Sequence, residues 1–422
     1  MNESLGSQSA DLAHVAFQET LELIEWPKLC EHLSTFATTS QGERKCREIE
    51  IPIDVSITNR YLEETMEMLD LDTSIEGGLS FKGINDLEQI ILICLKGGIV
   101  SGEELLEVSQ TLRTARSLRR QIENHEIRPR ISSLLENLAT LPELEKLIEF
   151  GLEEGGRVAD RASEKLSNLR QKNSRLRIER RVLLQDLLSR YSSILQDSVI
   201  AERYGRPVLA FKIGTADQIV GTVHDSSSSG NTIFIEPKSI IPLGNQIAQV
   251  EGFIKEEEQR LLAEWSREVA RNYDQLEYLS HVMLQLDLAL AKARYGNWLG
   301  AVPPSINKDQ QAPFLIQQFR HPLLVWQERY KNGKQVIPIS FEVNSNLRVV
   351  AITGPNTGGK TVTLKSIGLI AIMARCGLLL PCEASPCVPW FNQVLADIGD
   401  EQSLQQNLST FSGHIVRICR IL

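Results

Sequence analysis

Eight consecutive residues carry the clearest chemistry in this chain: Gly354, Pro355, Asn356, Thr357, Gly358, Gly359, Lys360 and Thr361. They fit G-x-x-x-x-G-K-[ST], a loop whose backbone N–H groups and lysine surround phosphates while the final hydroxyl holds Mg²⁺. A glycine-rich turn with a solvated lysine would read the same way in isolation, so the flanks decide. Residues 347–353 (LRVVAIT) form a β-branched run suited to a buried strand, and 360–376 are apolar almost all round, as in a core helix. Strand, loop and helix in that order would aim free N–H groups and the positive end of the helix dipole at phosphate. Gly377 and Pro381 then provide a stop.

A second set is electrostatic. Between 157 and 190 ten cations, among them Arg170, Lys172, Arg175, Arg177 and Arg181, meet four anions. The stretch opens at Gly155-Gly156 and reads as a long helix to about residue 195. Ala162, Leu166, Leu169, Asn173, Leu176, Arg180, Leu183 and Leu187 alternate by three and four along a coiled-coil seam. Such a run is a solvated helix face or a surface for phosphates. Other groups carry less. His224-Asp225 is a lone pair that reads as structural, and Cys382 and Cys387 in PCEASPC would be half a metal site with no second ligand pair nearby.

These residues need elements to hold them. Residues 1–16 are polar and read as a loose tail, and 17–156 read as a helical core. Its second helix is entered through Thr38-Thr39-Ser40 and Gly42, and a later one starts at Ser101. After the basic helix, 204–242 switch to short alternating strands with a serine-rich turn, and 243–298 return to a long helical pattern. Two long helices flanking a small sheet predict an antiparallel arm, 157–300, with the sheet at its tip. Pro303-Pro304 opens α/β-like material over 301–422, with strands expected at 314–319, 336–343 and 391–396 and a helix over 403–422.

The whole chain bounds these readings. It has 422 residues, 42% of them apolar, and a net charge of −9. That argues against a protein coated with nucleic acid over its whole surface, yet permits a local basic arm. Seven scattered cysteines, no leader pattern and no apolar run of spanning length predict reduced thiols, no membrane and a cytoplasmic location.

RHPLL (320–324), VVAITGPNTGGKT and ADIGDEQSLQQNLSTFSGH together resemble the MutS family ATPase. GPNTGGKT, DIGDEQS, GRVADRASEKLSNLR, GTVHDSSSSGNTIFIEP and LDLALAKARYG are similar to its second bacterial branch, the MutS-two type. The resemblance runs from about residue 17 to the last and implies a mostly α-helical core and lever, then a long helical arm carrying a β clamp, then a partial P-loop α/β ATPase domain. It implies ATP and Mg²⁺ as cofactors, with Lys360 on the β and γ phosphates, Thr361 on the metal and Asn356 beside the γ-phosphate. Val336 and Ile337 match the segment that packs the adenine. Ser409 corresponds to the serine that reaches the γ-phosphate of the opposite subunit, which implies a homodimer. The arm and clamp would grip nucleic-acid backbone, in branched DNA to limit recombination or on stalled ribosomes; mismatch reading is not implied. The same alignment puts the acidic strand and the C-terminal nuclease domain beyond residue 422. The expectation is therefore an N-terminal portion that binds ATP and hydrolyses it poorly. Rival readings are a non-catalytic nucleic-acid or ribosome clamp and a self-contained phosphotransferase using Asp397.

Overall fold

The computed structural model describes residues 15–398, except 228–229, 309–311, 332, 356–358 and 384–385. Ser409 and the helix expected over 403–422 lie outside the described residues. The chain divides into two compact units, the first holding residues up to Leu87, Gln110–Thr140 and the chain from Asp274 on. The second comprises Glu88–Ser109 and Leu141–Tyr273.

The first unit is helical with one small mixed sheet. Its N-terminal helical run breaks at Glu25, which sits at φ 62, and Pro27 restarts the chain in the helix Trp26–Ser34. The helix Ser40–Arg47 starts as its sequence predicts, with the Thr39 hydroxyl accepting the Gly42 N–H at 3.0 Å. The sheet runs β5 (Ser305–Asn307), β8 (Cys387–Pro389), β6 (Phe314–Phe319), β7 (Ile339–Val343) in spatial order. β5 and β8 are parallel and β6 and β7 antiparallel. Against it packs the helix Lys360–Arg375, which is buried continuously from Leu369 to Arg375. Gly377, at φ 71, closes that helix, its N–H donating to the Ala374 carbonyl. A Cβ there would lie 2.6 Å from that of Tyr61.

Two expected strands are absent. Residues 347–353 and 391–396 have no ladder partner among the described residues, and Val349 is 82% exposed. A β-branched run becomes a strand only when a neighbour takes its N–H and C=O groups, whatever its propensity. At 336–343 only Ile339–Val343 is paired.

In the second unit the helix Glu164–Arg190 runs antiparallel to Ile241–Arg271, so the predicted basic helix starts later and ends earlier than its sequence suggests. The seam holds at Leu166, Leu176 and Leu187, which are buried, and Ile247 and Val250 face Leu176 from the return helix. The predicted return helix is divided at Asn272, after which Tyr273–Leu299 continues. Ser101 caps as expected: its hydroxyl accepts the Glu104 N–H at 3.2 Å and the Glu104 carboxylate accepts the Ser101 N–H at 2.7 Å.

Between the arm helices lies an antiparallel sheet ordered β1 (Leu195–Arg203), β2 (Arg206–Lys212), β4 (Thr232–Pro237), β3 (Gly221–Ser226). The first strand occupies the stretch between the expected end of the helix, about residue 195, and the expected start of the sheet at 204. Leu195, Leu209, Phe211 and Ile235 form its core with Leu184 and Leu187. His224 is structural: its Nε2 lies 2.8 Å from the buried Glu236 carboxylate, which Arg206 approaches to 3.6 Å. Arg206 in turn donates to Asn245 on the return helix at 2.9 Å, tying sheet to arm.

Candidate functional site

The candidate phosphate loop begins at Gly354, with φ 150, and ends at Gly359, with φ 83, directly before the helix Lys360–Arg375. At such a φ a side chain would be strained, and at neither glycine would a Cβ meet another atom of the described residues within 4 Å. The Lys360 ammonium donates to the Gly354 carbonyl at 2.8 Å, so the side chain folds back across the loop's two ends. The Gly359 carbonyl accepts the Thr363 N–H at 2.9 Å and the Thr363 hydroxyl at 3.1 Å, fixing the first helical turn. Thr361 and Pro355 are exposed, and Asn356, Thr357 and Gly358 lie outside the described residues.

Val336 and Ile337 part company. Val336 is buried, and its N–H donates to Glu328 at 3.3 Å, while the Ile337 side chain is 85% exposed. Glu328 also pairs with Arg320 of the RHPLL run at 2.9 Å, a tie that nothing in the residue spacing announces. Thr361 lines a cavity of about 390 Å³ together with His32, His321, Trp326, Lys331 and Lys365. His32 stacks on Trp326 with centroids 4.0 Å apart. Burial pushes both histidines down to about 4, so they are neutral near pH 7 and offer one donor and one acceptor nitrogen each. Asp397 lines a different, apolar cavity of about 680 Å³ with Thr363, Leu364 and Phe391.

The basic helix sorts into two groups. Arg170 is mostly buried between Asp160 and Glu258, the latter at 2.6 Å. Arg177 pairs with Glu251, and Lys165 reaches Glu257 at 2.9 Å. Glu251, Glu257 and Glu258 all come from the return helix, so a charge count on one helix overstates the cations that face solvent. Glu257 is buried yet ionised. Hydrogen bonds from Arg260, Lys165 and Ser163 outweigh the cost of burial and hold its carboxyl down to about 2. Lys172, Arg175 and Arg181 are exposed, with no ion pair among the described residues. Beside them Ile178 and Val182 are exposed too.

No group of three or more His, Cys, Asp or Glu side chains among the described residues could hold a metal, and no described helix is long and apolar enough to cross a membrane. Cys382 is buried, and burial pushes its thiol up to about 12.

Residues 350–422 match the model of MutS domain V. A protein of Synechocystis sp. named endonuclease MutS2 is 46% identical over 406 residues, 96% of this chain and 49% of that protein. Proteins of the same name from Geobacillus sp. and Clostridium botulinum are 35% and 34% identical over 408 residues each, covering 51% and 50% of their lengths. The chain thus spans about half the length of the curated relatives it matches. With similarity running through 96% of its residues, the chain belongs to the MutS family, in its MutS2-type branch.

Proposed function

We propose that this chain binds ATP with Mg²⁺ at Gly354–Thr361 and holds nucleic acid along the arm. The observation that carries the nucleotide reading is the Lys360 ammonium lying 2.8 Å from the Gly354 carbonyl. A lysine held across the loop by the loop's own carbonyl is poised to exchange that oxygen for a phosphate oxygen, at a helix N-terminus whose dipole favours the anion. Thr361, exposed one residue on, supplies the hydroxyl for the metal, Gly358 and Gly359 line the cradle, and Asn356 reaches the γ-phosphate. Ile337 offers its exposed side chain to the base while Val336 backs it. Ser409 of a second copy completes the site in a homodimer.

Nucleotide is bound more readily than it is hydrolysed. A loop-type ATPase needs an acid beside the Mg²⁺ to polarise water. Asp397, which the residue order nominates, lines a cavity with Thr363 and Leu364, whereas Thr361 lines another; a self-contained phosphotransferase using Asp397 predicts Mg²⁺-dependent turnover that is lost in Asp397→Asn. Titration of the full chain with a fluorescent ATP analogue and Mg²⁺ should give saturable binding, reduced at least tenfold by Lys360→Ala, with little phosphate release. Rapid Mg²⁺-dependent turnover abolished by Lys360→Ala would overturn the second half of this reading. Binding untouched by that substitution would overturn the first.

The nucleic-acid reading rests on Lys172, Arg175 and Arg181, exposed cations on an otherwise acidic chain. Branched DNA and the ribosome are the two partners it fits. The relatives' name, endonuclease, supports a nucleic-acid substrate for the family. A clamp that grips without catalysis is the second reading, favoured by these same three side chains, and it predicts nucleic-acid binding that survives Lys360→Ala.

A further inference from the structure

The β1–β2 hairpin closes with a two-residue turn, because Arg203 pairs with Arg206 across it. Both turn residues have positive φ, 51 at Tyr204 and 73 at Gly205, as a type I′ turn requires. Asn-Gly is the favoured occupant of such a turn. An aromatic side chain at the first position is held in the left-handed region at a cost on the order of 1–2 kcal/mol. Nothing in the fold repays this cost. Tyr204 is 84% exposed and has no ring contact or hydrogen bond among the described residues.

The frame beneath the ring is fixed on both sides. Arg203 donates to Asp225 at 3.1 Å and lies over the Phe234 ring at 4.1 Å, and Arg206 is held by Asn245. These bonds bring the turn back against the return helix. Asn245 stands six residues above Glu251, the partner of Arg177, which at 1.5 Å per residue is about 9 Å. The turn that carries Tyr204 and the helix that carries Arg181 thus belong to one compact unit and are tied to the same return helix. An exposed aromatic held in a fixed turn, in a unit that also carries exposed cations, is the combination that binds unpaired nucleobases: cations track the backbone and the ring stacks on a base.

We infer that Tyr204 is a stacking platform for an unpaired nucleobase, so that the clamp prefers strands with exposed bases to fully paired duplex. This rests on the nucleic-acid reading above. The experiment compares the full chain with Tyr204→Asn and Tyr204→Phe on 2-aminopurine-labelled single strands, as DNA and as RNA, and on a fully paired duplex. The wild-type chain should quench the probe base and bind single strands more tightly than duplex. Tyr204→Asn should lose roughly five- to a hundred-fold on single strands, keep its duplex affinity and salt dependence, and melt no lower than wild type because Asn-Gly suits the turn. Tyr204→Phe should behave as wild type, and whichever sugar gives the larger loss names the natural strand. Unchanged single-strand affinity in Tyr204→Asn, with a loss on neutralising Lys172, Arg175 and Arg181, overturns the platform and leaves the backbone reading standing. If the wild-type chain binds neither strands nor duplex, both fall.

Discussion

Asp287 shows how one residue fixes a site's surroundings. It is fully buried, and its carboxylate accepts the Thr38 and Thr39 N–H groups at 3.0 and 2.9 Å and both hydroxyls at 2.6 Å. A Cβ on Gly42 would lie 2.1 Å from its Oδ2, so only glycine fits the first turn of that helix. Asp287→Ala strands the buried Thr39 N–H and the part-buried Thr38 N–H and is expected to cost about 2–4 kcal/mol in a urea midpoint measurement. Gly42→Ala should also destabilise, and the pair should cost less than the two single changes added together, because removing the carboxylate removes the clash. Acid should act at named groups. His32 and His321 are held neutral by burial, so their contribution is whole above pH 6.5 and is lost as pH falls from there toward 4. Glu257 is depressed for the opposite reason, its charged form being favoured by hydrogen bonds, so its contribution is whole above the ordinary value of 4.5 and drains as pH falls from 4.5 toward 2. Circular dichroism should show the lower transition weakened in Glu257→Gln and the upper one weakened in His321→Phe.

At the scale of elements, the arm separates cations that hold the fold from cations available to a ligand. Neutralising Lys172, Arg175 and Arg181 together should lower nucleic-acid affinity and flatten its dependence on log salt by about 2 to 3. Arg170→Gln is expected to lower thermal stability instead, since it leaves Asp160 and Glu258 without their shared partner, and to leave the salt slope unchanged. The two classes look alike in sequence. Heptad spacing located the buried seam at Leu166, Leu176 and Leu187, but spacing along one helix carries no information about which glutamates the opposite helix will present. The same limit applies to residues 347–353: β-branched composition suggested a strand, and ladder partners, absent among the described residues, decide whether one forms.

For the molecule as a whole, the phosphate loop belongs to the first unit and the basic arm to the second, each with its own hydrophobic core. Without nucleotide, Lys360→Ala is therefore expected to leave the nucleic-acid salt slope unchanged. In the presence of ATP and Mg²⁺, the wild-type chain alone should gain melting temperature, because a ligand stabilises only the form that binds it. A net charge of −9 disfavours nucleic acid over most of the surface, which is why the proposed contact is placed on Lys172, Arg175 and Arg181.

By itself the sequence determined what is local. The phosphate-loop residues, the helix that follows them and the Thr39 and Ser101 caps follow from contacts between residues a few positions apart, and periodicity located the seam and most of the antiparallel sheet, whose partners lie further along the chain. Only the tertiary structure decided which charges remain free, because Glu251 and Glu258 lie 74 and 88 residues from the arginines they neutralise. It also decided that Asp287 anchors Thr38 and Thr39 across 249 and 248 residues, and that Val336 is buried while Ile337 is exposed. Such pairings depend on chain elements meeting in space. Their energies come from desolvation and hydrogen bonding at the point of contact, which no one-dimensional spacing records.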